Sequence, residues 1–124
     1  MVAAVIEEAD SFLVARRQKG VHLEGLWEFP GGKIGADESH AAGLRREIGE
    51  ELGADVEVQD LILETTYAYE HTLTLYFYQC RLIGEARPLL GQEIRWVNRK
   101  ELPALQFPPA DAELIRRLTQ TEAR

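Results

Sequence analysis

The stretch from Gly31 to Gly53, GGKIGADESHAAGLRREIGEELG, contains a helical periodicity of apolar residues from which the surrounding fold can be inferred. Its second half repeats apolar residues at steps of three and four, which predicts an α-helix. The buried stripe of this helix is expected to consist of Ala41, Leu44, Ile48 and Leu52. Asp37 or Ser39 can cap its first turn, Gly53 is expected to end it, and His40 is expected to face solvent.

A second face of the same helix is acidic. Glu47, Glu50 and Glu51 follow one another at i, i+3 and i+4, so at about 100° per residue they cluster beside the apolar stripe. Their mutual repulsion costs helix stability, and a bound cation would offset that cost. Acidic residues on a helix are more often simply solvated, so these three alone leave both interpretations open.

The loop before the helix favours a ligand site. Gly31 and Gly32 allow close approach to bare backbone groups, Lys33 adds a positive charge, and Glu38 stands near the start of the helix. A glycine turn, a lysine and a carboxylate-lined helix together predict a place for a metal-bound polyphosphate. Mg²⁺ suits such a site because it takes oxygen ligands from a few carboxylates and from substrate phosphates.

The spacing of these residues resembles the Nudix box, the motif of the Nudix hydrolases. The matching positions are Gly32, Glu38, Arg46, Glu47, Ile48, Glu50, Glu51 and Gly53. Two positions depart from the pattern, since Ala54 replaces a larger aliphatic residue and Gly35 replaces a common glutamate. Neither departure changes the helix carboxylates.

The resemblance implies a role for each matching side chain. The catalytic set would be Glu47, Glu50, Arg46 and Glu38, with Arg46 orienting the glutamates. The metal, Mg²⁺ with Mn²⁺ as an alternative, would be held by the Gly31 carbonyl together with Glu47, Glu50 and Glu51. Water would attack a phosphorus of a nucleoside triphosphate and release the monophosphate and pyrophosphate, with Glu47 or Glu50 taking the proton.

Composition limits the class of partner. A chain of 124 residues with 45% hydrophobic content fits one domain, residues 1–124. The net charge of −7 argues against DNA or RNA polymers, whereas a small anion can bind beside a metal. Cys80, the only cysteine, is expected to be buried. Neither a membrane span nor a signal peptide is evident, which predicts a soluble cytoplasmic protein. A monomer or weak dimer is expected.

Apolar and alternating segments on both sides of the box predict a sheet. Strands are expected at residues 1–6, 12–15, 26–29, 56–69, 73–82 and 94–97. The first two would form a hairpin, and the fourth and fifth an antiparallel pair. A turn at 98–102 and an amphipathic helix at 111–119 would follow. This order predicts an α/β fold, an α/β/α sandwich on a central mixed sheet.

Four substrate contacts follow from the resemblance, which is nearest to the MutT-type nucleoside triphosphate pyrophosphohydrolases and to their CTP pyrophosphohydrolase branch. Arg17 and Phe29 would approach the base, Lys33 the phosphates, and Asp111 the base edge. Each base-site residue has a structural alternative: a solvated strand end for Arg17, the core for Phe29, and a helix N-cap for Asp111. A carboxylate at 111, where 8-oxoguanine-specific MutT proteins carry Asn, would suit the amino group of cytosine.

The function expected from this resemblance is hydrolysis of cytidine, oxidised or methylated nucleotides, as in nucleotide pool sanitation. Three alternatives stay open: another nucleoside diphosphate-linked substrate, nucleotide binding without catalysis, and a structural domain with no ligand site. Leu90 keeps the second open, since related triphosphatases often carry a further glutamate there. Glu93 is a candidate to replace that acid.

Overall fold

The computed structural model describes residues 1–68 and 71–120. The strands in this part of the chain are β1 (Val2–Glu8), β2 (Ser11–Arg16), β3 (Trp27–Glu28), β4 (Gly31–Gly32), β5 (Asp55–Ala68), β6 (Thr72–Ile83) and β7 (Ile94–Asn98). The helices are α1 (His40–Leu52) and α2 (Ala112–Gln120), with 3₁₀ segments at Arg99–Ala104 and Pro109–Asp111. None of these helices is long and apolar enough to cross a membrane.

β1 connects the two halves of a mixed sheet. It runs parallel to β6, with Val2 opposite Tyr76 and Ile6 opposite Cys80, and antiparallel to β2 and β4. β5 pairs antiparallel with β6, as the sequence predicts, and β2 pairs antiparallel with β3 and β7. The expected break at residues 70–72 lies partly outside the described residues.

The side chains of β1 alternate between two cores, because successive residues of a strand point to opposite faces. One core joins Val2, Ala4 and Ile6 of β1 to Leu44, Ile48 and Leu52 of α1, and also contains the buried Cys80. The other joins Ala3 and Val5 of β1 to Leu114 and Leu118 of α2. The helices therefore cover opposite faces, which confirms the α/β/α sandwich on a mixed sheet.

The ends of α1 follow the sequence prediction. The Ser39 hydroxyl accepts a hydrogen bond from the Ala42 N–H at 3.1 Å, so Ser39 is the cap. Gly53 ends the helix in the left-handed region, with φ 64°, and its N–H donates to the Gly49 carbonyl. This conformation suits glycine because it has no Cβ.

Two expectations about the first turn of α1 are wrong. Ala41 is exposed, because angular position does not tell how far the sheet extends beneath a helix, and Gly43 is buried in its place. His40 is half-buried, with its ring centroid 4.4 Å from that of Tyr76 and its Nδ1 2.7 Å from the Tyr78 hydroxyl. The first turn thus lies over aromatic side chains of β6.

Two glycines of α1 provide a matched test of this packing. A Cβ at Gly43 would lie 2.3 Å from Ile34 Cγ2, whereas one at Gly49 would meet only the Ala54 carbonyl oxygen at 3.9 Å. Gly49→Ala should raise the free energy of unfolding by about 0.5–1 kcal/mol through helix propensity. The free energy of unfolding of Gly43→Ala should be about 1–3 kcal/mol lower than that of Gly49→Ala, because the added Cβ overpacks the contact with Ile34. Urea denaturation measures both, and equal gains would contradict the close contact with Ile34.

Candidate active site

Arg46 lies at the centre of a network of carboxylates. Its Nε and Nη2 donate to both oxygens of Glu38, at 2.7 and 2.9 Å, and Nη2 also donates to the Lys33 carbonyl at 3.0 Å. Its Nη1 donates to Glu47 at 3.1 Å and to Glu50 at 3.3 Å. The guanidinium of Arg46 thus brings together the other three side chains that the sequence assigns to catalysis.

Glu38 is held from a second side by the loop. The Gly35 N–H donates to its Oε1 at 2.7 Å. The Arg46 side chain, and after it the Gly35 N–H, lower the pKa of Glu38 to about 2. Glu38 therefore stays ionised and can keep the guanidinium of Arg46 in a fixed orientation.

The two glycines of β4 allow two different close approaches. A Cβ on Gly31 would lie 2.1 Å from the Val2 carbonyl oxygen of β1, and one on Gly32 would lie 2.6 Å from Glu47 Oε2. Gly31 thus packs against the central strand, and Gly32 against the carboxylate of the acidic helix. The Gly31–Gly32 pair brings the loop, β1 and α1 together.

Glu47 and Glu51 crowd one another beside these glycines. Burial raises the pKa of Glu51 to about 8, helped by a hydrogen bond and the charge of Glu47 and by the charge of Glu28, while the Gly31 backbone acts in the opposite direction. The arrangement is costly for two bare carboxylates, and a cation would relieve it. Carboxylate and carbonyl oxygens are donors that suit a hard divalent ion.

Glu50 is the most exposed of the three helix glutamates. Its side chain is 59% exposed and its carboxylate contacts Arg46. Among residues 1–68 and 71–120, no three acidic, histidine or cysteine side chains already converge on a metal position. The residues thus fit a divalent ion in chemistry, with Glu47 and Glu51 side by side and Glu50 held by the guanidinium.

A second group of charges surrounds Glu28, to which the sequence analysis assigned no role. Arg17 Nη1 donates to Glu28 Oε1 at 2.8 Å. Asp111 is only 6% exposed, and burial, followed by the charge of Glu28, raises its pKa to about 7. Glu28 therefore acts on Glu51 and Asp111 alike. The sequence could have indicated a role for Glu28, because alternation in a short strand places its side chain on the face opposite the buried Trp27.

The structure also shows how the candidate residues Asp111, Phe29 and Lys33 are packed. Asp111 ends the 3₁₀ segment that leads into α2, and within residues 1–68 and 71–120 no backbone hydrogen bond to its carboxylate contributes to its pKa, which disfavours the N-cap interpretation. Phe29 is 4% exposed and its ring stacks on that of Phe107 at 5.4 Å, so it lies in the core. Lys33 is exposed on the loop next to Arg46.

Residues 90 and 93 are the two positions considered for an additional catalytic or metal-binding acid. Leu90 is exposed, and the Glu93 carboxylate lies 3.5 Å from Arg16 Nη1 and 3.3 Å from Arg95 Nη2. Glu93 is therefore engaged by cations of β2 and β7. This pairing disfavours Glu93 as the replacement for a glutamate at 90.

The raised pKa of Asp111 has a consequence for stability. An ordinary Asp carboxyl ionises near 3.8, whereas this one ionises near 7, so the unfolded chain releases the proton first. Stability should fall as pH rises from about 4 to about 7 and then level off. Asp111→Asn removes the ionisation and should gain up to about 4 kcal/mol over the natural protein between pH 4 and pH 8.

Urea denaturation of both proteins at several pH values measures this difference. Contributions from groups that do not interact with Asp111 cancel because the two chains share them. A difference in unfolding free energy that stays constant from pH 4 to pH 8 would contradict the raised pKa.

Comparison with known proteins agrees with this geometry. The family model described as NUDIX domain matches residues 1–117. The chain is 44% identical over 121 residues to the CTP pyrophosphohydrolase of Escherichia coli K12, covering 93% of this chain and 87% of that protein. It is 38% identical over 125 residues to a putative 8-oxo-dGTP diphosphatase 2 of Mycobacterium tuberculosis, covering 98% and 88%.

The fold is also found in solved structures. The solution structure of the E. coli ORF135 protein superposes with a TM-score of 0.83 at 31% identity, covering 93% of this chain and 84% of that one. A structure described for MutT from Aliivibrio salmonicida and Vibrio cholerae gives 0.82 at 26% identity, covering 98% and 95%. With a family model and relatives that span nearly all of its residues, this chain belongs to the Nudix hydrolase family.

Proposed function

We propose that this chain hydrolyses nucleoside triphosphates, with ribose or deoxyribose, to the monophosphate and pyrophosphate, and that its substrates include cytidine and oxidised or methylated nucleotides. The proposal is supported by relatives named CTP pyrophosphohydrolase and 8-oxo-dGTP diphosphatase. The observation that carries it is the Arg46 network, which gathers Glu38, Glu47 and Glu50 of the box around one guanidinium in the middle of α1. Such an activity fits nucleotide pool sanitation.

Nudix hydrolases generally need a divalent cation, and for this chain we propose Mg²⁺, with Mn²⁺ as an alternative. Glu47, Glu50, Glu51 and the Gly31 carbonyl would hold it. When bound, the cation neutralises the polyphosphate and lowers the pKa of a bound water. The crowding of Glu47 and Glu51 supports this assignment.

The remaining box residues take complementary roles in the proposal. Glu47 or Glu50 accepts the proton of the attacking water. Arg46 orients Glu50 through its Nη1, and Glu38 fixes Arg46 through two hydrogen bonds. Lys33, exposed on the loop, contacts the phosphates.

For the base we propose Asp111, Arg17 and Phe29. The Asp111 carboxylate would accept from the amino group of cytosine, while Arg17, held by Glu28, faces the base edge. Phe29, although packed in the core, would line the base pocket together with the half-buried Phe107 stacked on it. The proposed working form is a cytoplasmic monomer or weak dimer of one domain, residues 1–124. Its charge of −7 supports free nucleotides rather than nucleic-acid polymers as substrates.

The central experiment is a screen of canonical, oxidised and methylated nucleoside triphosphates and nucleoside diphosphate-linked compounds, with analysis of the products. Release of pyrophosphate with Mg²⁺, abolished by EDTA, supports the proposed reaction. Hydrolysis of only the diphosphate-linked compounds would redirect the assignment within the family. Nucleotide binding without release would support a non-catalytic role.

Glu50→Gln tests the acidic face. Loss of a general base or metal ligand should lower turnover by about two to four orders of magnitude. Glu57→Gln is the matched control, because Glu57 lies exposed on β5 and pairs only with Arg81 and Gln59 in the described residues. A near-normal rate for Glu50→Gln would remove Glu50 from the mechanism.

Asp111→Asn tests base recognition. An amide both donates and accepts, so the variant should lose preference for cytidine over 8-oxoguanine nucleotides by about 10- to 100-fold in the ratio of kcat/KM values. Steady-state kinetics with CTP and 8-oxo-dGTP measure that ratio. An unchanged ratio would show that Asp111 does not contact the base.

A further inference from the structure

The C-terminal end of α1 is completed by a distant segment of the chain. The last carbonyls of a helix have no partner within it and require outside donors. The Gly53 N–H satisfies the Gly49 carbonyl at 3.1 Å. The Arg87 N–H donates to the Leu52 carbonyl at 2.8 Å, and the Leu89 N–H to the Glu51 carbonyl at 3.1 Å.

Gln92 adds a side chain to this cap. It is 8% exposed, and its Nε2 donates to the Glu51 carbonyl at 3.0 Å. Its Oε1 accepts from the Leu90 N–H at 2.9 Å. The amide therefore uses both ends, and an apolar side chain at 92 would remove one hydrogen bond from the Glu51 carbonyl and the acceptor of the Leu90 N–H.

The Glu51 carbonyl consequently accepts two hydrogen bonds, from Leu89 and from Gln92. It belongs to the same residue whose carboxylate lies beside Glu47 and the Gly31 backbone. Because the Cα–Cβ bond starts from this backbone, holding the carbonyl also holds the point and direction from which the Glu51 side chain leaves the helix. The backbone of Glu51 thus belongs to the helix cap, and its side chain belongs to the crowded acids.

We infer that Gln92 is a positioning residue, which acts through the Glu51 backbone to place the Glu51 carboxylate against Glu47 for binding the divalent cation. This inference rests on the proposed function. Partners that orient metal-binding carboxylates typically change metal affinity by 10- to 100-fold when they are removed. Gln92 should therefore influence metal affinity more than turnover at saturating metal.

The test compares Gln92→Met with Gln18→Met. Methionine keeps similar length without a donor or acceptor. Gln18 is the matched control because its Nε2 donates to the Leu90 carbonyl at 3.0 Å, on the exposed side of the same loop. The dissociation constant of Mn²⁺, measured without nucleotide from the paramagnetic resonance of free Mn²⁺, should rise about 10-fold in Gln92→Met and stay unchanged in Gln18→Met.

Kinetics give a second readout. The Mg²⁺ concentration for half-maximal pyrophosphate release should rise by a similar factor in Gln92→Met, while kcat at saturating Mg²⁺ stays within about 3-fold, as expected for weakened metal binding. A folded Gln92→Met protein with unchanged Mn²⁺ affinity would overturn the inference. Natural protein that binds Mn²⁺ but releases no pyrophosphate would instead refute the proposed function, and the Mn²⁺ comparison would still test Gln92.

A third measurement needs no variant and applies if Gln92→Met fails to fold. When the natural protein is titrated with Mg²⁺, the side-chain amide resonances of Gln92 should shift together with the Glu51 backbone amide. Those of Gln18 should stay in place. Gln92 resonances that do not respond while Mg²⁺ binds would overturn the inference.

Discussion

The absence of side chains at Gly31 and Gly32 is the constraint on which the site depends. One glycine lies against the Val2 carbonyl in the central strand, and the other lies beneath the Glu47 carboxylate. A Cβ at either position would separate the loop from β1 or from α1. Since β1 also divides the two cores, the strand that organises the sheet is the same strand that positions the glycine turn.

Electrostatics then concentrate negative charge where the backbone allows close approach. Arg46 compensates Glu38, Glu47 and Glu50, whereas Glu51 is buried beside Glu47, which raises its pKa. The charge is therefore balanced on one side of the acidic face and left crowded on the other. A divalent ion beside Glu47 and Glu51 would therefore neutralise the negative charge that Arg46 leaves uncompensated.

Glu28 connects the two regions of the candidate site. Its charge raises the pKa of Glu51 and of Asp111, and Arg17 pairs with it directly. A change in the charge of Glu28, beside the proposed base contact Asp111, should therefore also change the pKa of the proposed metal ligand Glu51. The short strand β3 holds Glu28 between them, because its neighbours Trp27 and Phe29 are both anchored in buried packing.

The sequence by itself determined the acidic helix, its end at Gly53, the hairpins and the sandwich, because these depend on local spacing and on alternation, and it narrowed the N-cap to Asp37 or Ser39. Tertiary structure alone decided that Ala41 is exposed, that Glu93 pairs with Arg16 and Arg95, and that Gln92 donates to the Glu51 carbonyl. It also placed Glu28 where its charge acts on Glu51. Such contacts join residues far apart in the chain. Their existence depends on where the sheet ends and how loops return to it, which the periodicity of a single segment does not encode.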